Sequence, residues 1–449
     1  MMSLAEAAAV LGSGAGDGSA SFTGVSTDTR SLQRGDLFVA LRGERFDGHA
    51  FLDRAKSAGA AGALVDRGYT GKAPLPVIRV ADTRRGLGEL ARHWRARFSP
   101  ALIAISGSNG KTTVKEMLAA ILRRHAGTDA VLATTGNLNN DIGVPLTLLR
   151  LRPAHRWCAI ELGMNHKGEI AYLAGIASPT VALVNNAQRE HLEFMRSVDE
   201  VAAENASVYA ALADDGIAVV NADDAHAALF RQQAGQRRLV DFGLGAASVS
   251  GRYALHPLTS EIRVTIPTGE AQATLAIPGL HNVRNALAAA ASAHAVGVPA
   301  KAIGEGLTAF RPYAGRLQVK QARGGTTVID DSYNANPDSV RAAIDVLASC
   351  PGPTVLVLGD MGEVGEHGVD FHREIGSYAR SKGISNLLAL GAAMRHAVEA
   401  FGPGARHFAD VDELAGNVSG RTVLVKGSRF MKMERVVAAL TGGGNQGGH

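Results

Sequence analysis

Residues 101–113 read ALIAISGSNGKTT, six apolar or small residues running into two glycines, an asparagine, a lysine and two threonines. A run that is hydrophobic at successive positions is the signature of a strand buried on both faces. Gly107 and Gly110 let backbone N–H groups turn toward a bound anion, and a helix N-terminus just beyond them favours negative charge. Lys111 is then placed to reach the β- and γ-phosphates of a nucleotide and the Thr112 hydroxyl to ligate Mg²⁺, with Ser108, Asn109 and Thr113 completing the cradle. The longer pattern GxxxxGK[ST] wants glycine at 105, where this chain has Ile105, so only the shorter GxxGKTT form is present. The alternative is a plain Gly-rich turn. The apolar strand before it and the helical pattern after it favour the phosphate loop.

Working outward, the same rhythm of short apolar runs and amphipathic or Ala-rich stretches fills the chain. Strands are expected at 36–41, 101–106, 157–162, 181–185, 217–221, 327–330, 354–359, 387–391 and 422–426, with helices at 114–124, 198–212, 282–296, 339–348 and 431–440. Alternation of this kind predicts an α/β fold with mostly parallel sheets. Residues 252–277 alternate polar and apolar and read as antiparallel hairpins appended to the main sheet. The pattern restarts at RFSPA (97–101) and at FRPYAGR (310–316), which divides the chain into 1–98, 99–313 and 314–449. Each piece is long enough for its own core.

Composition narrows the partners. The chain has 449 residues, 46% apolar and 20% charged, and a net charge of +4 without a basic run. Nucleic acid is therefore not an expected partner, whereas an anionic small substrate fits. Cys158 and Cys350 lie far apart without CxxC spacing, which suggests neither a disulfide framework nor a zinc site. The first residues lack a basic stretch ahead of an apolar one, and no apolar run is long enough to span a bilayer, so a soluble cytoplasmic protein, monomeric and without membrane insertion, is expected. The glycine-rich end, GGGNQGGH, reads as a tail.

Four further clusters carry chemistry. Residues 134–145, TTGNLNNDIGVP, form an amide-rich loop suited to phosphate or carboxylate oxygens. Glu161 ends the run WCAIEL at a strand terminus, where α/β sheets place ligands, and is a candidate Mg²⁺ ligand; His191 follows another buried run in the same way. Asp330, Asp331 and Asn334 come from VIDDSYNANPDS and suit ribose hydroxyls or a cation. Lys426, Ser428 and Arg429 follow the strand TVLVK as a basic cluster able to hold an anion. Solvated turns and surface ion pairs are the bland alternatives for each.

Taken together, GDLFVALRGERFDGH, SGSNGKTTVKEM, GNLNNDIGVP, ELGMNHKGEI, PGLHNVRNALAAA, DDSYNANPDS, LGDMGEVGEHG and VKGSRFMKME resemble the ATP-dependent Mur ligases that build the peptidoglycan precursor. The resemblance covers nearly the whole chain. It implies a first domain that binds a UDP-substrate, a central ATPase domain and a Rossmann-like C-terminal domain that closes over ATP. Within the family it points to the branch whose substrates are UDP-N-acetylmuramoyl-tripeptide and D-alanyl-D-alanine. By that resemblance Ser26, Asp28, Arg30, Phe38, Gly48 and His49 line the UDP site, and Thr112, Glu161 and His191 match the metal ligands. Asn137 matches a residue near the γ-phosphate, Asn282 one near adenine, Arg316 one near the phosphates and Asp331 one on the ribose. Asn336 and Ser339, with Lys426, Ser428 and Arg429, match positions around the incoming dipeptide and nucleotide.

One departure stands out. Many relatives carry a carbamylated lysine in the helix after the His-containing loop, and here that position is Asn205, with Glu204 beside it as a possible carboxylate. Neighbours on a helix point about 100° apart, so the two residues face differently. The chemistry implied is phosphorylation of a carboxylate to an acyl phosphate followed by attack of an amine, with His191 and His281 as candidate bases. A sibling ligase adding one amino acid is the nearest alternative, though no DNPR tetrapeptide occurs in the C-terminal segment. A nucleotide-binding module without turnover is the alternative from another class.

Overall fold

The strand Ala101–Ser106 is apolar from Ala101 to Ile105 because both of its faces are covered. In the computed structural model, which describes all residues except 15–18, 45, 323 and 443–449, Ile103 and Ile105 enter one apolar core and Leu102 and Ala104 another. Residue 45 of the expected 38–49 segment and the glycine-rich end beyond 442 lie outside the described residues.

That strand sits inside a nine-stranded sheet. The order is Gly269–Leu275, Ser260–Ile266, Val249–Leu255, Arg238–Gly243, Ile217–Asn221, Val181–Val184, Ala101–Ser106, Trp157–Glu161, Val131–Ala133. The seven strands from Val249–Leu255 onward run parallel to their neighbours, while the last two hairpin strands join antiparallel at the edge. The alternating stretch is thus an extension of the main sheet, with Ile262, Val264 and Ile266 turned inward. Register pairs Ile105 with Glu161 and Ser106 with Val184. The phosphate loop, Glu161 and the segment after Val184 therefore emerge together at one carboxyl edge of the sheet.

Besides the two-stranded pair Met2–Ser3 and Ser21–Phe22, two further sheets flank this one. Gly24–Ser26, Asp36–Val39, Gly62–Asp66 and Val77–Val80 form a four-stranded parallel sheet, followed by helix Thr83–Arg95. The third has the order Gln318–Gln321, Thr327–Asp331, Thr422–Lys426, Thr354–Gly359, Asn386–Leu390, Ala405–Phe408, parallel except for its first strand. Apolar packing is continuous across the units: one core joins residues of the central and last sheets, the other those of the first and central sheets.

Two expected helices differ in detail. The 198–212 stretch is an α-helix only over Val198–Ala206 and tightens to a 3₁₀ turn at Ser207–Ala211, where the Ser207 hydroxyl donates to Glu204 O and buried Tyr209 donates to Val219 O. The last helix starts at Glu434, because Lys432 adopts φ +52° after a 3₁₀ turn at Arg429–Met431.

Helix Lys111–Ala126, which begins at the phosphate loop, is held from behind by helix Ala300–Ala309. A Cβ on Gly306 would lie 2.3 Å from the Ile121 Cα, so the two backbones touch at a point that admits no side chain. Gly306→Ala is expected to cost about 1–3 kcal/mol through overpacking. The check is a lower urea midpoint at unchanged m-value.

Candidate active site

Gly107 and Gly110 adopt φ +132° and +83°, in the region that favours glycine. A Cβ at Gly110 would also strike Asn285 Oδ1 at 2.3 Å. Ile105, which stands where the longer motif has glycine, is fully buried inside the strand, so the loop turns two residues later. Gly110 caps helix Lys111–Ala126 with no side-chain bond, leaving its first amides open to an anion. The Lys111 ammonium folds back on Gly107 O and Ser108 O at 2.5 and 2.9 Å, and lies 3.6 Å from Glu190 Oε2.

The loop opens on a cleft of about 930 Å³, which is within the range of small-molecule sites. Of the expected residues, Ser108, Asn109, Gly110, Lys111, Thr112, Asn137, Glu161, His191, Arg316, Asn336, Ser339, Lys426 and Arg429 all line it. Glu161 Oε1 accepts from Thr112 Oγ1 at 3.2 Å and from Asn139 Nδ2 at 2.9 Å, while its Oε2 is buried with no partner. Arg316 donates to Thr112 Oγ1 at 3.4 Å and stacks on Tyr333, 4.0 Å from the ring centroid. Asn336 caps helix Pro337–Ala348 in a reciprocal box with Ser339, and its side chain exchanges hydrogen bonds with Asn109.

Several of the expected residues are engaged away from the cleft. Asp331 is not among the cleft-lining residues: Lys426 Nζ donates to its Oδ2 at 2.7 Å and Leu317 N–H to its Oδ1, so its oxygens are committed, and Lys426, itself buried, is the partner that lines the cleft. Asp330 is likewise held by Lys320 and Ser332. Ser428 is buried, accepting from Gly362 N–H and donating to Ala335 O. Asn282 lies off the cleft too, donating to Pro278 O and accepting from Asn285, whose own carbonyl holds Asn185 beside Asn109. Gly107 and Thr113 support the loop without lining the cleft.

The first unit meets the cleft through residues other than those expected. Phe38 packs in the core of the small sheet, and Gly48 is pressed against the Leu41 backbone. His49 is 3% exposed, bonded to Asp47 Oδ1 and Asp66 N–H and stacked on Tyr69. Its ring therefore has no free nitrogen. Ser26 bonds the Asp28 backbone, and Asp28 pairs with exposed Arg30 at 2.6 Å, away from the cleft. Asp82, Arg84 and Arg85, at the start of helix Thr83–Arg95, reach it instead.

His191 sits at φ +54°, with Nδ1 2.5 Å from Glu363 Oε2 and Nε2 3.4 Å from Glu190 Oε1. Burial opposes its charge, but Glu190 and Glu363 outweigh that and push it up to about 9. Both ring nitrogens thus face carboxylates, which favour the charged ring. Thr112 and Glu161 lie side by side, and His191 pairs with Glu190 and Glu363. Glu204 accepts from Gly168 and Ile170 N–H at the start of helix Glu169–Ala177, so its carboxylate caps that helix. Asn205 instead turns to the phosphate loop, its Oδ1 accepting from Ser106 Oγ and Gly107 N–H at 2.6 and 2.8 Å. Among the described residues no three His, Cys, Asp or Glu side chains form a metal cage. Glu190, Asn139, Asn185, Asn285 and Glu363 were missed; the NN of 185–186 and the N-x-x-N spacing of 282–285 were the available signals.

The second candidate base, His281, is pushed down to about 4 by burial, reinforced by Lys426 and Arg284. An imidazole that titrates near 6.5 in the unfolded chain then binds more protons there than in the folded one, so stability falls as pH drops from about 6.5 toward 4. His281→Gln is expected to abolish that part of the loss, on the order of 2 kcal/mol, read from urea midpoints at pH 7 and pH 4.5.

Fold and cleft define a P-loop nucleotide-binding enzyme whose site is shared by three units. Family models described as "Mur ligase family, catalytic domain", "Mur ligase middle domain" and "Mur ligase, glutamate ligase domain" match residues 21–95, 105–293 and 315–429. The chain belongs to the Mur ligase family of ATP-dependent amide ligases. It is 43% identical over 426 residues to the UDP-N-acetylmuramoyl-tripeptide--D-alanyl-D-alanine ligase of Escherichia coli (strain K12), with 93% of each chain covered. Its fold matches MurF from Acinetobacter baumannii with a TM-score of 0.91 and 34% identity, covering 98% of this chain and 99% of that one. It also matches the MurF ligase from Thermotoga maritima in complex with ADP, with a TM-score of 0.81 and 25% identity over 94% and 97% of the two chains. No helix among the described residues is long and apolar enough to cross a membrane.

Proposed function

We propose that this protein joins D-alanyl-D-alanine to the tripeptide carboxylate of UDP-N-acetylmuramoyl-tripeptide, converting ATP to ADP and phosphate through an acyl phosphate. The observation that carries this reading is the 43% identity to the E. coli ligase across 93% of both chains, joined to a phosphate loop that opens on a cleft shared by three units.

A carboxylate is a poor electrophile, so one of its oxygens must first become a leaving group. In this reading the carboxylate oxygen attacks the γ-phosphorus and ADP leaves. The free amine of the dipeptide then attacks the acyl carbon, and the tetrahedral intermediate expels phosphate. Lys111 moves from its loop carbonyls to the transferring phosphoryl group, and Arg316, Asn137 and the open amides of helix Lys111–Ala126 hold the surrounding oxygens. Positioned charge of this kind is the main contribution to phosphoryl transfer. Arg84 and Arg85 suit the anionic UDP-substrate, while Arg429 suits the dipeptide carboxylate.

Mg²⁺ fits the site: the unpartnered, buried Glu161 Oε2 lies on the carboxylate that Thr112 already touches, and this ion typically takes one or two protein carboxylates, with phosphate oxygens and water completing its shell. When bound it neutralises charge on the phosphates. Residues 1–98 hold the UDP-substrate and 99–313 the nucleotide, and 314–449 close on ATP and the incoming dipeptide. The test is phosphate release from ATP and Mg²⁺ with the UDP-tripeptide and a panel of amines. Release with D-alanyl-D-alanine and not with single amino acids is expected. Turnover with a single amino acid would move the protein to a sibling activity, and none with any amine would leave a binding module.

A further inference from the structure

Between strand Val181–Val184 and helix Val198–Ala206 one loop grips two units at once. Asn185 and Asn186 side chains donate to Asn109 O, Asn186 Oδ1 accepts Asn109 N–H, and Gln188 N–H donates to Ser108 Oγ, so this side of the loop clasps the phosphate cradle. Arg189 turns the other way, out of the cleft. Its Nε and Nη2 donate to Asp338 Oδ1 at 3.0 and 2.6 Å, and its backbone N–H to Asp338 Oδ2 at 2.9 Å. Its Nη1 and Nη2 reach the Glu374 carboxylate at 2.7 and 3.1 Å, and the guanidinium lies 5.2 Å from the Phe371 ring centroid.

Asp338 is in the first turn of helix Pro337–Ala348 and Glu374 is on helix Gly368–Ser381, both in the C-terminal unit. Arg341 also donates to Glu374, at 3.0 Å, so two guanidiniums face two carboxylates. The side chains of Arg189, Asp338 and Glu374 are 24%, 24% and 31% exposed, which shields the network from much of the solvent screening that weakens surface pairs. Without Arg189, Glu374 would be left with Arg341 alone, and Asp338 would lose the cation that pairs with it. The residues immediately after it are Glu190, beside Lys111, and His191, beside Glu363.

We propose that Arg189 is a positioning residue: docked on Asp338 and Glu374, it fixes residues 185–191 around the phosphate loop, so that the cradle takes its working shape only with the C-terminal unit in place. This rests on the ligase reading. Arg189 itself touches neither nucleotide nor reacting atoms, and its effect passes through Asn185, Asn186, Gln188 and Glu190. The forked guanidinium is essential to the arrangement, because an ammonium offers a single point of charge and cannot satisfy both carboxylates.

The experiment compares Arg189→Ala, Arg189→Lys and the milder Glu374→Gln with the unaltered chain. Arg189→Ala is expected to lower kcat about 30-fold while the ADP dissociation constant changes less than threefold, with Arg189→Lys intermediate and Glu374→Gln about fivefold down. Adding Glu374→Gln to Arg189→Ala is expected to lower kcat by less than a further twofold. Hydrogen exchange of amides 186–195 is expected to speed up at least tenfold in Arg189→Ala, with amides of strand Ala101–Ser106 unchanged. A kcat within threefold of the unaltered chain, or exchange speeding up equally in Ala101–Ser106, would overturn the inference. Absence of dipeptide-dependent turnover in the unaltered chain would instead strike the ligase reading, and the exchange pattern would still decide the role of Arg189 in the loop.

Discussion

Lys111→Met is expected to lower the maximal rate of dipeptide-dependent phosphate release by about 10³-fold, the size of effect seen when a charge aimed at a transferring phosphoryl group is removed. The reason is local. The ammonium is held by two loop carbonyls, Gly107 O and Ser108 O, with Glu190 nearby at 3.6 Å. These are groups that ATP oxygens can replace without unfolding anything. Methionine keeps the length of the side chain and removes its charge, and the helix it opens stays capped by Gly110. Thermal stability should therefore shift by a few degrees at most while turnover collapses. Rates measured at saturating ATP and both other substrates decide it, and a fall of less than tenfold would remove Lys111 from the phosphoryl-transfer role.

Glu161→Gln is the second large effect. Its Oε1 keeps Thr112 and Asn139 in place, and a glutamine carbonyl can go on accepting from both. The other oxygen, buried and unpartnered, becomes an amide that offers hydrogens where a cation wants a lone pair. The expected result is a rise of at least tenfold in the Mg²⁺ concentration for half-maximal rate, and a loss of about 10²-fold in kcat at saturating metal. Mn²⁺ binding in the presence of ADP, followed by its paramagnetic resonance, reads the same site without turnover and should weaken in parallel. Unchanged Mn²⁺ affinity would place the cation elsewhere.

The phosphate loop was legible because strand, turn and helix are adjacent in sequence, and Glu161 because a strand end announces itself by its apolar run. Other features depend on contacts that spacing does not encode. Asp331 looked free in DDSYN, yet it is paired across two parallel strands with Lys426, 95 residues later, and the two charges neutralise each other. Phe38 and His49 belong to a recognisable motif, but the small sheet turns one into its core and occupies both nitrogens of the other. Arg84 and Arg85 carry no local sign of function, since only the packing of helix Thr83–Arg95 on the central unit brings its start to the cleft. Arg189 and Glu190 were hidden in plain view beside His191, because a charged pair in a loop reads as solvated until its partners are known. Glu204 and Asn205 show the same limit: neighbours on one helix, one caps Glu169–Ala177 and the other anchors Gly107.

In the proposed reaction ATP activates the tripeptide carboxylate directly, and oxygen-18 placed in that carboxylate tests it. If an acyl phosphate forms and the amine displaces phosphate, one labelled oxygen leaves with each phosphate released, visible as an isotope-shifted phosphorus-31 resonance. Labelled phosphate in a one-to-one ratio with the new amide is expected. Unlabelled phosphate alongside amide formation would contradict it.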